Sequence, residues 1–166
     1  AANAGIPTSC IRHGDYPDRE SFDRAVAAEL DRYNPELLIL AGFMRILSPA
    51  FVEHYAGRIL NIHPALLPKY PGLDTHQRAL DAGDEWHGST VHFVTEELDG
   101  GPRILQGRLR INPRETADEL KARVQAVEHR IYPEAAGLVG SGRVVFDNGE
   151  ALIDGKRAAD PVIRSY

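Results

Sequence analysis

The run Ile59-Leu60-Asn61-Ile62-His63-Pro64 places an amide and an imidazole two residues apart at the end of an apolar segment. Residues two apart in a strand point the same way, so Asn61 and His63 would share one face while Leu60 and Ile62 pack on the other. An asparagine N–H can stabilise negative charge that develops on a carbonyl oxygen. A histidine donates in the same way when protonated, or relays a proton near neutral pH. The pair therefore fits carbonyl chemistry at a strand end. The purely structural alternative is an asparagine closing a turn and a histidine bonded to backbone.

Two further segments carry chemistry-bearing residues. In TEELDGGPRIL, Asp99 precedes Gly100, Gly101 and Pro102, just beyond an apolar run that ends near Val94. The glycines allow a tight loop and close approach of backbone to a ligand. The aspartate can orient an imidazole and stabilise its charge, or receive a proton through water. An ordinary Asp-Gly turn is the alternative. In AGFMRILSP, Gly42 leads into a loop with Phe43, Met44, Ile46 and Leu47 around Arg45. Such a loop can wall a pocket for a flat aromatic ligand, or simply cover the sheet. The histidines at 54, 76, 87, 92 and 129 form no HExxH or other ligand spacing, so no metal site is expected. Neither a P-loop nor a GxGxxG pattern is present.

The elements that must position these groups follow from apolar periodicity. IPTSCI reads as a short strand, with Cys10 in a packing role. Asp18 to Tyr33 reads as a helix with a stripe of Phe22, Val26, Leu30 and Tyr33. ELLILAG is a continuous apolar strand of the buried parallel kind. Ser48-Pro49 opens a short helix to about Tyr55, serine as cap and proline in the first turn. RILNIH is the next strand, Thr75 to Ala82 a helix, GST-VHFV and RILQGRLRI two more strands. Thr116 and Glu119 form a capping box before a long helix striped by Leu120, Val124, Val127 and Ile131. Residues 143–155, RVVFDNG and ALIDG, read as a terminal β ribbon. Alternating strands and helices imply an α/β domain, a mostly parallel sheet flanked by helices with its crevice at the carboxyl ends of the strands.

Bulk properties narrow the partners. A chain of 166 residues that is 43% hydrophobic and 26% charged suits one domain with a genuine core. A net charge of -5 argues against broad binding to nucleic-acid backbones. With one cysteine no intrachain disulfide forms, which fits a reducing, cytoplasmic setting. No apolar run approaches the roughly 20 residues that span a bilayer, and no signal peptide is visible, so no membrane partner is expected.

NIHPALLPKYPGLDTH, HGSTVHFVTEELDGGPRILQ and AGFMRILSP together resemble the phosphoribosylglycinamide formyltransferase (glycinamide ribonucleotide transformylase) family, from Ala1 to about Gly155. KYPGLDTH and the histidine of STVHFV resemble that branch more than methionyl-tRNA formyltransferase or formyltetrahydrofolate deformylase. The resemblance implies a formyltransferase-type, Rossmann-like fold. It implies formyl transfer from 10-formyltetrahydrofolate, as co-substrate, to the amine of glycinamide ribonucleotide, in a monomer or homodimer. On it Asn61, His63 and Asp99 take the catalytic places. Arg45, Ile46, Leu47, Val94, Thr95 and Asp99 lie against the folate, and Gln125 and Glu128 near the ribonucleotide. The family's opening strand, phosphate loop, helix and second strand match nothing in the chain. This implies a single domain over 1–166 that is N-terminally incomplete, and an active parent whose 166-residue portion alone is inactive. Formyltetrahydrofolate deformylase and a non-catalytic folate-binding module are the alternatives.

Overall fold

The computed structural model describes residues 1–157 and 160–166. Its centre is a five-stranded sheet in the order β1-β2-β3-β4-β8: Leu38–Leu40, Ile59–His63, Trp86–Phe93, Arg103–Arg110 and Val162–Ser165. Strand β1 pairs parallel to β2, β3 runs antiparallel to both β2 and β4, and β8 lies parallel to β4. Four strands therefore share one direction and β3 alone opposes them. The remaining strands β5 (Val144–Asp147), β6 (Glu150–Ile153) and β7 (Lys156–Arg157) make a separate antiparallel sheet. Asn148 and Gly149, both at positive φ, close its first hairpin, as a tight turn matched to strand twist requires.

Helices cover both faces. On one side α1 (Arg19–Asp31) and α2 (Pro49–His54) bury Leu38, Phe51, Tyr55 and Ile59. On the other lies α4 (Ala117–Gly140), which presents Leu120, Val124, Val127, Ile131 and Ala135 to Leu60, Val91, Phe93 and Leu105. The expected stripe of α4 is thus the buried one, and its capping box is formed in both directions between Thr116 and Glu119. The remaining helix, α3 (Thr75–Asp81), packs beside α4. Adjacent residues of β2 serve opposite cores, Ile59 towards α2 and Leu60 towards α4. That alternation sets the face on which Asn61 and His63 emerge. None of the described helices is long and apolar enough to cross a membrane.

The structure corrects several local expectations. IPTSCI is not a strand: an extended segment becomes one only when another backbone pairs with it, and none does among the described residues. Cys10 within it is exposed rather than packed. Tyr33 lies beyond the end of α1 and is exposed, so the stripe ends at Leu30. ELLILAG contributes only Leu38–Leu40, at the edge of the sheet, with Ile39 turned outwards. Ser48 occupies the N-cap of α2 but its side chain does not cap; instead its backbone N–H donates to Asp23 Oδ2 at 2.6 Å. The strand β8 was not expected, because four residues with mostly exposed side chains carry no amphipathic signal.

Glycine at 107 allows α4 to approach the sheet: a Cβ there would overlap Val127 and press on Ile131. Gly137, on the exposed side of α4, has open space around it. Gly107→Ala is expected to lower the unfolding free energy by about 1–3 kcal/mol through overpacking. Gly137→Ala is expected to raise it by about 0.5–1 kcal/mol by favouring helix. Urea unfolding of both variants, compared at equal m-value, checks the pair.

Candidate active site

At the carboxyl end of β2 the alternation leaves Asn61 half-buried and His63 buried, on the face opposite Leu60. Across the ladder Asn61 stands opposite His92 and His63 opposite Thr90. Asp99 comes from the loop between β3 and β4. That loop turns back tightly: Asp99 sits at φ 53, and a Cβ on Gly101 would run into the Phe93 carbonyl. The Asp99 side chain is only 8% exposed, so its oxygens need partners within the protein. Oδ2 accepts the Gly72 N–H at 2.9 Å and faces His63 Nδ1 at 3.4 Å, while Oδ1 approaches His92 Nε2 at 3.8 Å.

The other contacts define what each ring can do. His63 Nε2 donates to the Tyr70 carbonyl at 2.8 Å. Its Nδ1 edge is therefore the one presented to Asp99, and an imidazolium here would donate on both sides. His92 Nδ1 donates to the Phe93 carbonyl at 2.8 Å, which leaves Nε2 to accept from Asn61 Nδ2 at 3.4 Å. Burial is the main cause that lowers the His92 pKa, outweighing its backbone bond and nearby Asp99. A neutral ring at 3.8 Å from a carboxylate is a packing contact rather than an ion pair.

Behind β2, Ser89 Oγ lies 2.7 Å from the His63 carbonyl and 2.9 Å from Glu128 Oε1. A hydroxyl has one proton for these two acceptors. Burial raises the Glu128 pKa, which favours a carboxyl that supplies the second proton. Tyr132, also on α4, reaches the Leu40 and Leu60 carbonyls at 2.7 and 3.0 Å and so braces β1 against β2 beside Asn61.

Of the residues singled out from sequence, Asn61, His63 and Asp99 converge, and Glu128 joins them through Ser89. Gln125 is exposed on α4 and makes no side-chain hydrogen bond among the described contacts. Leu47 and Val94 pack on the same apolar cluster as Ile59, which brings the two loops of the expected folate wall together. Ile46 is exposed, Thr95 is half-buried, and the Arg45 guanidinium lies 5.2 Å from the Phe22 ring centre. Sequence reasoning gave His92, Ser89 and Tyr70 no part in the site, although the histidine of STVHFV marked the family branch. The signal for His92 was its place opposite Asn61, legible only once the β2–β3 register is known. Among the described residues no group of three or more His, Cys, Asp or Glu side chains is arranged to hold a metal.

An amide, an imidazole and a buried carboxylate thus meet at the strand ends of a Rossmann-like α/β sheet, an arrangement of the class that carbonyl-group enzymes use. Residues 1–136 match the formyl transferase family, and the chain belongs to it. It is 53% identical over 157 residues to phosphoribosylglycinamide formyltransferase of Escherichia coli, covering 95% of this chain and 74% of that protein. Its structure is similar to that of phosphoribosylglycinamide formyltransferase from Coxiella burnetii, with a TM-score of 0.91 at 49% identity, over 97% of this chain and 77% of that one. A formyltetrahydrofolate deformylase from Pseudomonas syringae shares the fold at lower identity, 27%, with a TM-score of 0.84 over 92% of this chain and 51% of its own.

Histidines beside the site also shape the response to acid. His87 is buried with its Nε2 3.1 Å from His76 Nδ1, and burial, aided by that neighbour, pushes its pKa from 6.5 down to about 4. Between these values the unfolded chain binds the proton and the folded one does not, so stability falls as pH drops through that window. Burial shifts His76 and His92 the same way and Glu128 the opposite way. Replacing His87 with Gln is expected to remove up to about 3 kcal/mol of the acid-induced loss. Unfolding free energies of both proteins between pH 7 and pH 4, on the scale of that window, test this.

Proposed function

We propose that this chain carries the catalytic centre of a phosphoribosylglycinamide formyltransferase, which moves the formyl group of 10-formyltetrahydrofolate to the amine of glycinamide ribonucleotide. The observation that carries the reading is the Asp99 carboxylate 3.4 Å from His63 Nδ1, with Asn61 one strand period away on the same face. Family membership and 53% identity to a protein of that name support the choice of substrates.

The amine attacks the formyl carbon, a C–N bond forms, and the carbonyl oxygen becomes an oxyanion. Asn61 Nδ2–H donates to that oxygen, and the Nδ1–H of protonated His63, which faces Asp99 Oδ2 at 3.4 Å, is shared between the carboxylate and that oxygen. The oxygen carries charge only after attack, so both donors favour the transition state over the ground state. Asp99 holds the imidazolium and accepts the proton shed by the attacking amine, directly or through water. Collapse of the tetrahedral species re-forms the carbonyl and breaks the bond to N10 of the folate, N10 takes the proton that Asp99 received, directly or through water, and tetrahydrofolate leaves. No covalent enzyme intermediate is needed; placing two reactants together supplies much of the acceleration.

Arg45, Ile46 and Leu47, with Val94, Thr95 and Asp99, form the wall for the folate ring; Leu47 and Val94 pack on one apolar cluster. Glu128, with Gln125 one turn before it on α4, stands on the ribonucleotide side. A cytoplasmic monomer or homodimer fits this role.

The test is made on the full-length natural polypeptide that carries these residues, mixed with 10-formyltetrahydrofolate and followed by folate absorbance. Product that depends on glycinamide ribonucleotide is the expected result. Product formed equally without any acceptor would instead mean hydrolysis to formate. Asn61→Ala, His63→Ala and Asp99→Asn should each lower kcat by about 100-fold to 1,000-fold, as expected for loss of an oxyanion donor or proton acceptor.

A further inference from the structure

Between β2 and α3 the chain forms a strap, residues 64–74, that touches both chemical partners of the site. Its Tyr70 carbonyl takes the His63 Nε2–H at 2.8 Å, and its Gly72 N–H binds Asp99 Oδ2 at 2.9 Å. The backbone there is not at rest. Tyr70 and Asp74 sit at φ 56 and 57, a region that residues with side chains avoid. Such geometry persists only when surrounding contacts hold it.

The holding contacts are visible and lie away from the reacting groups. Asp84, in the turn between α3 and β3, accepts the Tyr70 hydroxyl on Oδ2 at 2.9 Å. The same carboxylate takes Lys69 Nζ at 2.8 and 2.9 Å, one residue earlier in the strap. The Arg78 guanidinium lies 5.2 Å from the Tyr70 ring centre, and its Nη1 donates to the Pro71 and Leu73 carbonyls. Lys69 is 59% exposed and its pairing contributes little by itself, whereas the Asp84 side chain is 15% exposed and its bond to the phenol is directional. Lys69, then Tyr70, hold the Asp84 carboxyl below its ordinary range against the opposing effect of burial, so it remains an acceptor at neutral pH.

We infer that Asp84 is a positioning residue for formyl transfer: by fixing the Tyr70 ring it fixes the Tyr70 carbonyl on His63 Nε2, and so decides that the Nδ1 edge of the imidazole faces Asp99 and the reacting carbonyl. Without the anchor the strap relaxes towards ordinary backbone angles and the carbonyl leaves Nε2. The ring is then free to rotate about its side-chain bonds, and Asp99 loses the Gly72 N–H bonded to its Oδ2. Substrate contacts along the folate wall and α4 are untouched, so binding survives while the oriented donor is lost. The effect on rate rests on the formyl-transfer reading above; the effect on His63 does not.

Two variants separate these. Asp84→Ala removes the anchor. Tyr70→Phe removes only the hydroxyl and keeps the ring under Arg78, so it guards against a folding defect in the first. In wild type, imidazole nitrogen NMR should show a His63 Nε2–H that exchanges slowly with water. Both variants should speed that exchange by about 10-fold or more, because a bond held by neighbouring structure opens locally once the structure is loosened. They should also lower kcat by about 10-fold to 100-fold, the loss typical of a misplaced catalytic group, with KM for both substrates changed less than about twofold. The double variant should be no worse than the poorer single one, since both cut the same link. Unchanged His63 exchange in both variants overturns the inference, whatever happens to the rate. Faster exchange with unchanged kcat in an active wild type overturns it too. A wild type that shows no formyl transfer refutes the functional reading alone, and His63 exchange still decides whether Asp84 anchors the ring.

Discussion

A carboxylate placed in a protein interior must find partners there, and Asp99 finds them in two separate parts of the chain. The Gly72 N–H comes from the strap after β2 and His63 from the end of β2, while the neutral His92 ring of β3 packs beside it. Burying that charge unpaired would be far more unfavourable than any single contact in the site is favourable. The loop between β3 and β4, the strap and the two strand ends are therefore constrained together. The left-handed backbone at Asp99 and at Tyr70 is the local strain through which these segments reach one point.

This polar cluster rests on apolar packing that it does not share. Strand β2 feeds Ile59 to the α1–α2 side and Leu60 to the α4 side, and only after these are buried does it present Asn61 and His63. From α4, Tyr132 ties the Leu40 and Leu60 carbonyls while Glu128 reaches the His63 carbonyl through Ser89. One helix thus fills the core with its apolar stripe and steadies the site with two polar residues on the same side. Rigid positioning of this kind suits the direct formyl transfer proposed for the site, in which the protein would contribute orientation and a preformed electrostatic environment.

Much of this was legible in the pattern of residues. The stripe and capping box of α4 mark it clearly, since a long amphipathic helix repeats its signal many times. The hairpin closed at Asn148-Gly149 and the strand around Asn61 are likewise readable from turn chemistry and apolar alternation. Short elements fared worse. IPTSCI has the composition of a strand but no pairing partner among the described residues, and β8 has a partner but little composition to betray it. Pairing is a property of two segments, and a single window of sequence holds only one. Ser48 shows the same limit: its position as a cap was readable, but Asp23, 25 residues away, is what its backbone bonds.

The sequence by itself determined which groups could do chemistry and which faces they would take. The period of two along β2 puts Asn61 and His63 together, and the Asp99-Gly100-Gly101 run makes a tight loop bearing a carboxylate. Those statements depend on covalent spacing and local backbone preference, which the chain carries everywhere with it. Only the tertiary structure decided that Asp99 reaches His63 rather than solvent, that His92 stands opposite Asn61, and that Asp84 accepts the hydroxyl of Tyr70, whose carbonyl bonds His63. Each of these depends on strand register and on burial, and neither exists until distant segments have packed against one another.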